Sequence, residues 1–237
     1  VGNPIAISIP GAWNSQKDLL STLAKRFKTE YIFVGSIFLD SSTNASCEFN
    51  VGTYTPDLVE DFQLASQWKL SAGTLDTIRQ HHHAVHLTFP QSGADSCRKA
   101  ARFAKVFLQA GGFAVKVDSA NLAHSKEKWL EHCDSTDLYS LFVRLMEGRK
   151  GFYSCGMQNF GLPDVAFNEL GDVQEAVRIL HAFNRYQLEQ SPQLEDGSTF
   201  RPDTNSPLFS LKWSESLHPK DDPLLHNSFG IWQLLRM

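Results

Sequence analysis

Residues 84–125, AVHLTFPQSGADSCRKAARFAKVFLQAGGFAVKVDSANLAHS, change hydrophobic period twice, and that limits what the chain can fold into. Val85, Leu87 and Phe89 alternate with His86 and Thr88, as in a half-buried strand, until Pro90 and Gly93 break the run. From Ala94 the period is helical. Cys97, Ala100, Ala101, Ala104, Phe107 and Leu108 fall on one side, while Arg98, Lys99, Arg102 and Lys105 fall largely on the other. Gly111 and Gly112 end the helix. Phe113, Val115 and Val117 then alternate with Ala114, Lys116 and Asp118, giving a second strand parallel to the first and joined to it by a right-handed crossover.

The same order of elements occurs earlier. Ile5, Ile7 and Ile9 alternate with Ala6 and Ser8, Pro10 and Gly11 stop the strand, and Asn14 or Ser15 caps a helix. That helix has an apolar stripe of Leu19, Leu20, Leu23 and Phe27 opposite Lys17, Lys25 and Lys28, and residues 31–39 follow as a buried strand. The expected fold class is therefore α+β, a mixed sheet with flanking helices and two similar strand–helix–strand units, read either as an internal duplication or as a chance match of two common units. Between the units, residues 47–54 read as a strand, Pro56 starts a helix, and residues 74–81 form a short one.

Beyond the second unit, residues 125–132 and 136–147 read as helices, 151–157 as a strand, 161–164 as a turn and 165–167 as a short extension. Gly171 or Asp172 starts a helix with a stripe of Val173, Ala176, Val177, Leu180, Phe183 and Leu188. Residues 191–206 are loop-forming, and strands at 208–213 and 229–235 flank an exposed HPKDDP segment. No linker divides the chain. Residues 1–237 are expected to form one α+β domain, with 1–82 and 83–237 as its subdomains.

With 42% hydrophobic residues the chain has material for a sizeable core, and its formal charge of −4 supplies no general field for nucleic acid or an anionic membrane. A basic partner is the easier electrostatic match. No apolar run approaches the roughly 20 residues of a transmembrane helix, and IAISIP lacks the charged flank and length of a secretory signal. Cys47, Cys97, Cys133 and Cys155 contain no C-x-x-C pair and read as reduced, buried thiols, although their even count also permits two disulfides in an oxidising compartment; the expected location is cytoplasmic.

Four constellations raise the question of chemistry. PQSGAD precedes a helix N-terminus, where an anion could sit, but it lacks the Walker lysine and spaced glycines, so Ser92, Gly93 and Asp95 read as a turn and cap. His81, His82, His83 and His86 suggest a metal, since His81 and His83 on one strand would lie roughly 7 Å apart. No HExxH or paired-cysteine signature supplies further ligands, so no metal and no cofactor is assigned. His124-Ser125 and His132-Cys133-Asp134 hold catalytic residue types without the G-x-S-x-G elbow, Cys155 reads as structural, and Asp164 reads as a turn residue. Trp13, Trp68, Trp129, Trp213 and Trp232 belong mostly to the core, any exposed one being a good interface anchor.

GGFAVKVDSANLAHS at 111–125 and GMQNFGLPDV at 156–165 resemble the paired signature of a bacterial family known as a domain of unknown function. The likeness covers mainly residues 85–186 and implies no catalytic residues. Bacterial proteins of this appearance are similar to immunity partners of secreted antibacterial toxins, including type VI secretion effectors. The resemblance implies a non-catalytic protein that binds and occludes a protein toxin or effector without a cofactor, and the acidic balance adds that a basic partner is the easier match and that neither nucleic acid nor a membrane is expected. Its contact candidates are the acidic residues Asp57, Glu60, Asp61, Glu195, Asp196, Asp221 and Asp222, provided that they cluster. A metal-dependent or cysteine/histidine hydrolase is the alternative, and a regulatory binding protein a third.

Overall fold

In the computed structural model, which describes residues 3–53, 55–67, 69–169 and 172–237, the alternating isoleucines form β1 (Ile5–Gly11). The same sheet holds β2 (Tyr31–Val34), β3 (Ile37–Asp40), β4 (Ser46–Thr53), β5 (His83–Phe89), β6 (Ala114–Val117) and β7 (Leu122–Ser125). Its order is β2-β3-β4-β5-β1-β6-β7, and every neighbouring pair is antiparallel. β5 and β6 run parallel to each other as expected, but β1 lies between them. The second strand–helix–strand unit is thus split by the first strand of the chain, whereas β1 and β2 have three strands between them.

Helices α1 (Gln16–Phe27) and α4 (Ala94–Gln109) use the stripes read from the sequence. Leu19 and Leu23 of α1 and the apolar face of α4 join Ile5, Ile7, Ile9, Val85, Leu87 and Phe89 in one core on the first face of the sheet. Ser15 caps α1 through its side chain, and Gly93 precedes α4 with its amide on the Asn159 carbonyl rather than on a ligand. The second face is covered at one end only. There α2 (Leu58–Ala65) and α3 (Ala72–Arg79) pack Leu58, Val59, Phe62 and Ile78 against Ala84, Ala114 and Ala123.

After α5 (Lys126–His132) and the single turn α6 (Tyr139–Phe142), the chain builds a second sheet from β8 (Arg144–Gly148), β9 (Gly151–Cys155), β10 (Asp164–Phe167), β11 (Thr199–Phe200), β12 (Phe209–Ser214) and β13 (Ile231–Arg236). Its order is β11-β12-β13-β10-β9-β8, mixed because β10 and β13 are parallel. α7 (Val173–Gln190), capped by the Asp172 side chain, buries Ile179, Leu180 and Phe183 against Phe167, Phe209 and Leu234. The protein is an α+β fold of two sheets, and the division at 82/83 falls between α3 and β5, inside the region of the first sheet.

Several local expectations need correction. Residues 31–39 are not one buried strand but the hairpin β2–β3, because Gly35 (φ +61°) turns the chain and pairs Val34 with Ile37. Residues 136–147 are not one helix. From Arg144 the chain pairs in a hairpin with β9, with Leu145 against the second core, and the hydrogen bonding of that sheet overrides the helical period. β7 and β11 were not foreseen, Thr199–Phe200 lying inside the expected loop. Tyr54, Trp68 and Gly171 lie outside the described residues.

Polar side chains join the two sheets. Gln158 donates to the Ser119 carbonyl at 2.6 Å, Ser119 Oγ donates to Asn159 Oδ1 at 2.7 Å, and Asn159 Nδ2 donates to the Phe142 carbonyl at 3.1 Å. All three side chains are buried, so leaving any of these groups unbonded costs about 1–3 kcal/mol.

Candidate functional site

The residues that alternate with the core apolars on β1, β5 and β6 are Ser8, His86 and Lys116, and the strand register brings them side by side. Ser8 Oγ lies 2.9 Å from His86 Nδ1 and donates to Asp118 Oδ2 at 2.6 Å. Asp118 opens the 3₁₀ turn that follows β6, and its other oxygen lies 3.4 Å from Lys116 Nζ. Lys116 in turn lies 4.0 Å from Asp61 Oδ2 on α2. The result is a polar relay beside the edge of the α2–α3 cover.

Burial decides its electrostatics. Desolvation raises the Asp118 carboxyl above its ordinary range, opposed first by the Lys116 charge and then by the Ser8 hydrogen bond. Desolvation also lowers His86, against the attraction of Asp118 and with the repulsion of Lys116. Burial therefore favours the neutral imidazole. The order of contacts differs from a serine-hydrolase triad, where histidine stands between serine and carboxylate; here serine occupies the middle and donates its hydrogen bond to Asp118.

Beyond the relay the second face of the sheet stands open. Along it run Asn50 and Glu48 of β4, then Ile37 and Leu39 of β3, then Val34 and Ile32 of β2. Ile32, Val34 and Ile37 are 43%, 65% and 38% exposed, and Ser46, Glu48 and Asn50 are exposed beside them. Three large aliphatic side chains at one end of a sheet face, next to an acidic and amide file, form a surface suited to association.

The histidines singled out for metal binding diverge. His81 is buried at the end of α3 with Nδ1 on the Ile78 carbonyl, not on a strand, and His83 Nδ1 lies 2.8 Å from the Trp13 carbonyl while His86 faces Ser8. Among the described residues no three His, Cys, Asp or Glu side chains converge on a metal position. His124 is buried beside Trp129, its Nε2 on the Leu141 carbonyl, and burial pushes it down to about 4. Asp134 pairs with Lys105, and the four cysteines are buried and unpaired.

The acidic contact candidates lie on three separate elements. Asp57, Glu60 and Asp61 are exposed at the start of α2, and Asp61 adjoins the relay through Lys116. Glu195 and Asp196 are exposed before β11, where Asp196 accepts from the Trp213 amide at 2.7 Å. Asp221 and Asp222 belong to the β12–β13 connection, where Asp222 caps a turn through the amides of Leu224 and Leu225. Trp213 is the exposed tryptophan among the described residues; Trp13, Trp129 and Trp232 are core.

Sequence reasoning missed two features. Asp164 is not a turn residue but the first residue of β10, with a buried carboxyl group that accepts from Asn227 Nδ2 at 2.7 Å, the Met157 amide at 3.1 Å and Ser154 Oγ at 3.2 Å. The relay was missed because its members come from distant segments; the signal that could have found it is the shared parity of Ser8, His86 and Lys116, each the outward residue of its strand.

Residues 153–219 match the family described as a domain of unknown function, DUF4261. The match includes 156–165, leaves 111–125 outside, and runs from β9 through β12, so it belongs to the second sheet and not to the relay. No curated protein and no solved structure matches the chain. Among the described residues no helix is long and apolar enough to cross a membrane.

Proposed function

We propose that this chain is a toxin-neutralising immunity protein that binds a basic effector protein through the open face of its first sheet. The observation that carries this is the exposure of Ile32, Val34 and Ile37 together on a sheet face that α2 and α3 leave uncovered. Such a face gains from being covered, at roughly 25 cal/mol per Å² of apolar surface removed from water. Its charge favours a basic partner. Glu48 lies on the face, Asp57, Glu60 and Asp61 stand on the helix at its border, and the chain carries a net −4. Four unpaired thiols suit a reducing cytoplasm, where a producing cell must neutralise its own effector.

Co-expression with each toxin encoded beside the gene tests the proposal. One pairing should restore growth and yield an isolable complex. Val34→Glu should abolish both while leaving the thermal midpoint unchanged, because that side chain is solvent-exposed in the free protein. Failure of rescue and of complex formation with every adjacent toxin would overturn it.

A further inference from the structure

The hydrogen bonds of the relay determine which side of His86 can meet a partner. The Lys116 ammonium, 3.4 Å from Oδ1, favours the carboxylate form of Asp118, and a carboxylate only accepts. The 2.6 Å bond to Oδ2 therefore uses the single proton of the Ser8 hydroxyl. Toward His86 that hydroxyl can then only accept, so the proton of the neutral imidazole sits on Nδ1, and Nε2 is left as a bare lone pair. Among the described residues Nε2 has no hydrogen-bond partner, and it is not sealed from solvent.

The neighbouring strand leaves room for approach. A side chain at Gly52 would place its Cβ 3.0 Å from His86 Nε2, so the glycine keeps that nitrogen uncovered. Asn50 stands directly opposite His86 and Glu48 opposite Thr88, both exposed on the same face. Cross-strand neighbours of this kind are about 5 Å apart, within the span of one planar, many-donor group. The charged groups around the file are Asp118, Lys116, Asp61 and Glu48. Lys116 is flanked by two carboxylates, so among these four groups the acidic ones outnumber the single ammonium three to one.

We infer that His86 Nε2, the Asn50 side-chain carbonyl and the Glu48 carboxylate form an acceptor site for an arginine side chain of the partner. The inference rests on the proposed partner binding, yet its central geometric claim is testable on the free protein. The relay presets an acceptor at the middle of the interface, and Ile32, Val34 and Ile37 supply the apolar contact at its edge. Arginine suits the file better than lysine because its guanidinium offers several donors in one plane.

Long-range proton–nitrogen spectra of the ¹⁵N-labelled full chain at pH 7 should show His86 as the Nδ1–H tautomer, and Ser8→Ala should mix the two tautomers. Adding N-acetyl-arginine amide should shift His86 Nε2, while N-acetyl-glutamine amide at equal concentration should not. In the toxin complex, His86→Phe should weaken affinity about tenfold or more. An Nε2–H tautomer, an unmoved Nε2 with the arginine probe, or full affinity in His86→Phe would each overturn the site while leaving an isolated toxin complex as support for the function. Conversely, an Nδ1–H tautomer with an arginine-specific shift would support the site even if no adjacent toxin bound.

Discussion

The Ser8 hydroxyl donates a 2.6 Å hydrogen bond to Asp118, a residue 110 positions further along the chain. The same hydroxyl meets His86, so one small side chain satisfies two titratable groups that sit on neighbouring strands and a following turn. Desolvation already works against the Asp118 carboxylate, and the Lys116 charge comes first and this hydrogen bond second among the interactions that oppose it.

Ser8→Ala should therefore cost more than an ordinary surface substitution. It removes a buried hydroxyl, leaves Asp118 short of a donor and leaves His86 Nδ1 without its acceptor. A loss of about 1–3 kcal/mol in unfolding free energy is expected, read from urea titration at constant m-value. A change within a few tenths of a kcal/mol would show that the relay does not stabilise the fold.

Asp164 makes stability depend on pH. Burial pushes its carboxyl up to about 7, against hydrogen bonds from Asn227, Met157 and Ser154. A folded-state value above the ordinary 3.8 means that the native protein binds this proton more tightly than the unfolded chain. The contribution is complete below about pH 4 and is lost as pH rises through about 7, amounting to about 4 kcal/mol at 1.36 kcal/mol per unit. Urea titrations between pH 4 and pH 8 should show the wild type losing stability relative to Asp164→Asn by that order. Parallel curves for the two proteins would contradict the assignment.

Much of the architecture was legible because its strands and helices have clean periods. Ile5, Ile7 and Ile9, or the stripe of α4, bury one face and leave the other polar, so the sequence itself announces the element. Residues 31–39 were harder. Tyr31, Phe33 and Phe38 enter the core while Ile32, Val34 and Ile37 do not, and a run apolar at both parities reads as buried although half of it faces water. Arg144–Gly148 was lost to helix for a related reason, since its pairing with β9 is a tertiary fact. The site was barely legible. Ser8, His86 and Asp118 lie in three segments with no motif spacing, and only the strand register makes them neighbours.

Gly156 should tolerate no side chain. It has φ +116°, and an added Cβ would stand 2.1 Å from the Phe142 carbonyl oxygen, which is backbone and cannot swing away. The position links β9 to the 3₁₀ turn that carries Gln158 and Asn159, the side chains that tie the second sheet to the first. Gly156→Ala is expected to cost about 3 kcal/mol or more, through steric displacement together with the left-handed strain. A thermal midpoint within 2 °C of wild type, taken as a margin of about 1 kcal/mol or less, would show that the turn can relax.

The cysteines should be inert until the protein opens. Burial raises the Cys47, Cys97, Cys133 and Cys155 thiols, Cys97 and Cys155 being enclosed most completely, and none has a disulfide partner. A chromogenic disulfide reagent should therefore find essentially no reactive thiol in the native protein at pH 8 and all four after denaturation. Cys133 should react first, because it caps the end of α5 beside the exposed Asp134, and its rate should follow local opening of that helix end. Rapid native modification of Cys155 would point to an activated thiol and would revive a cysteine-based chemistry at the junction of the two sheets.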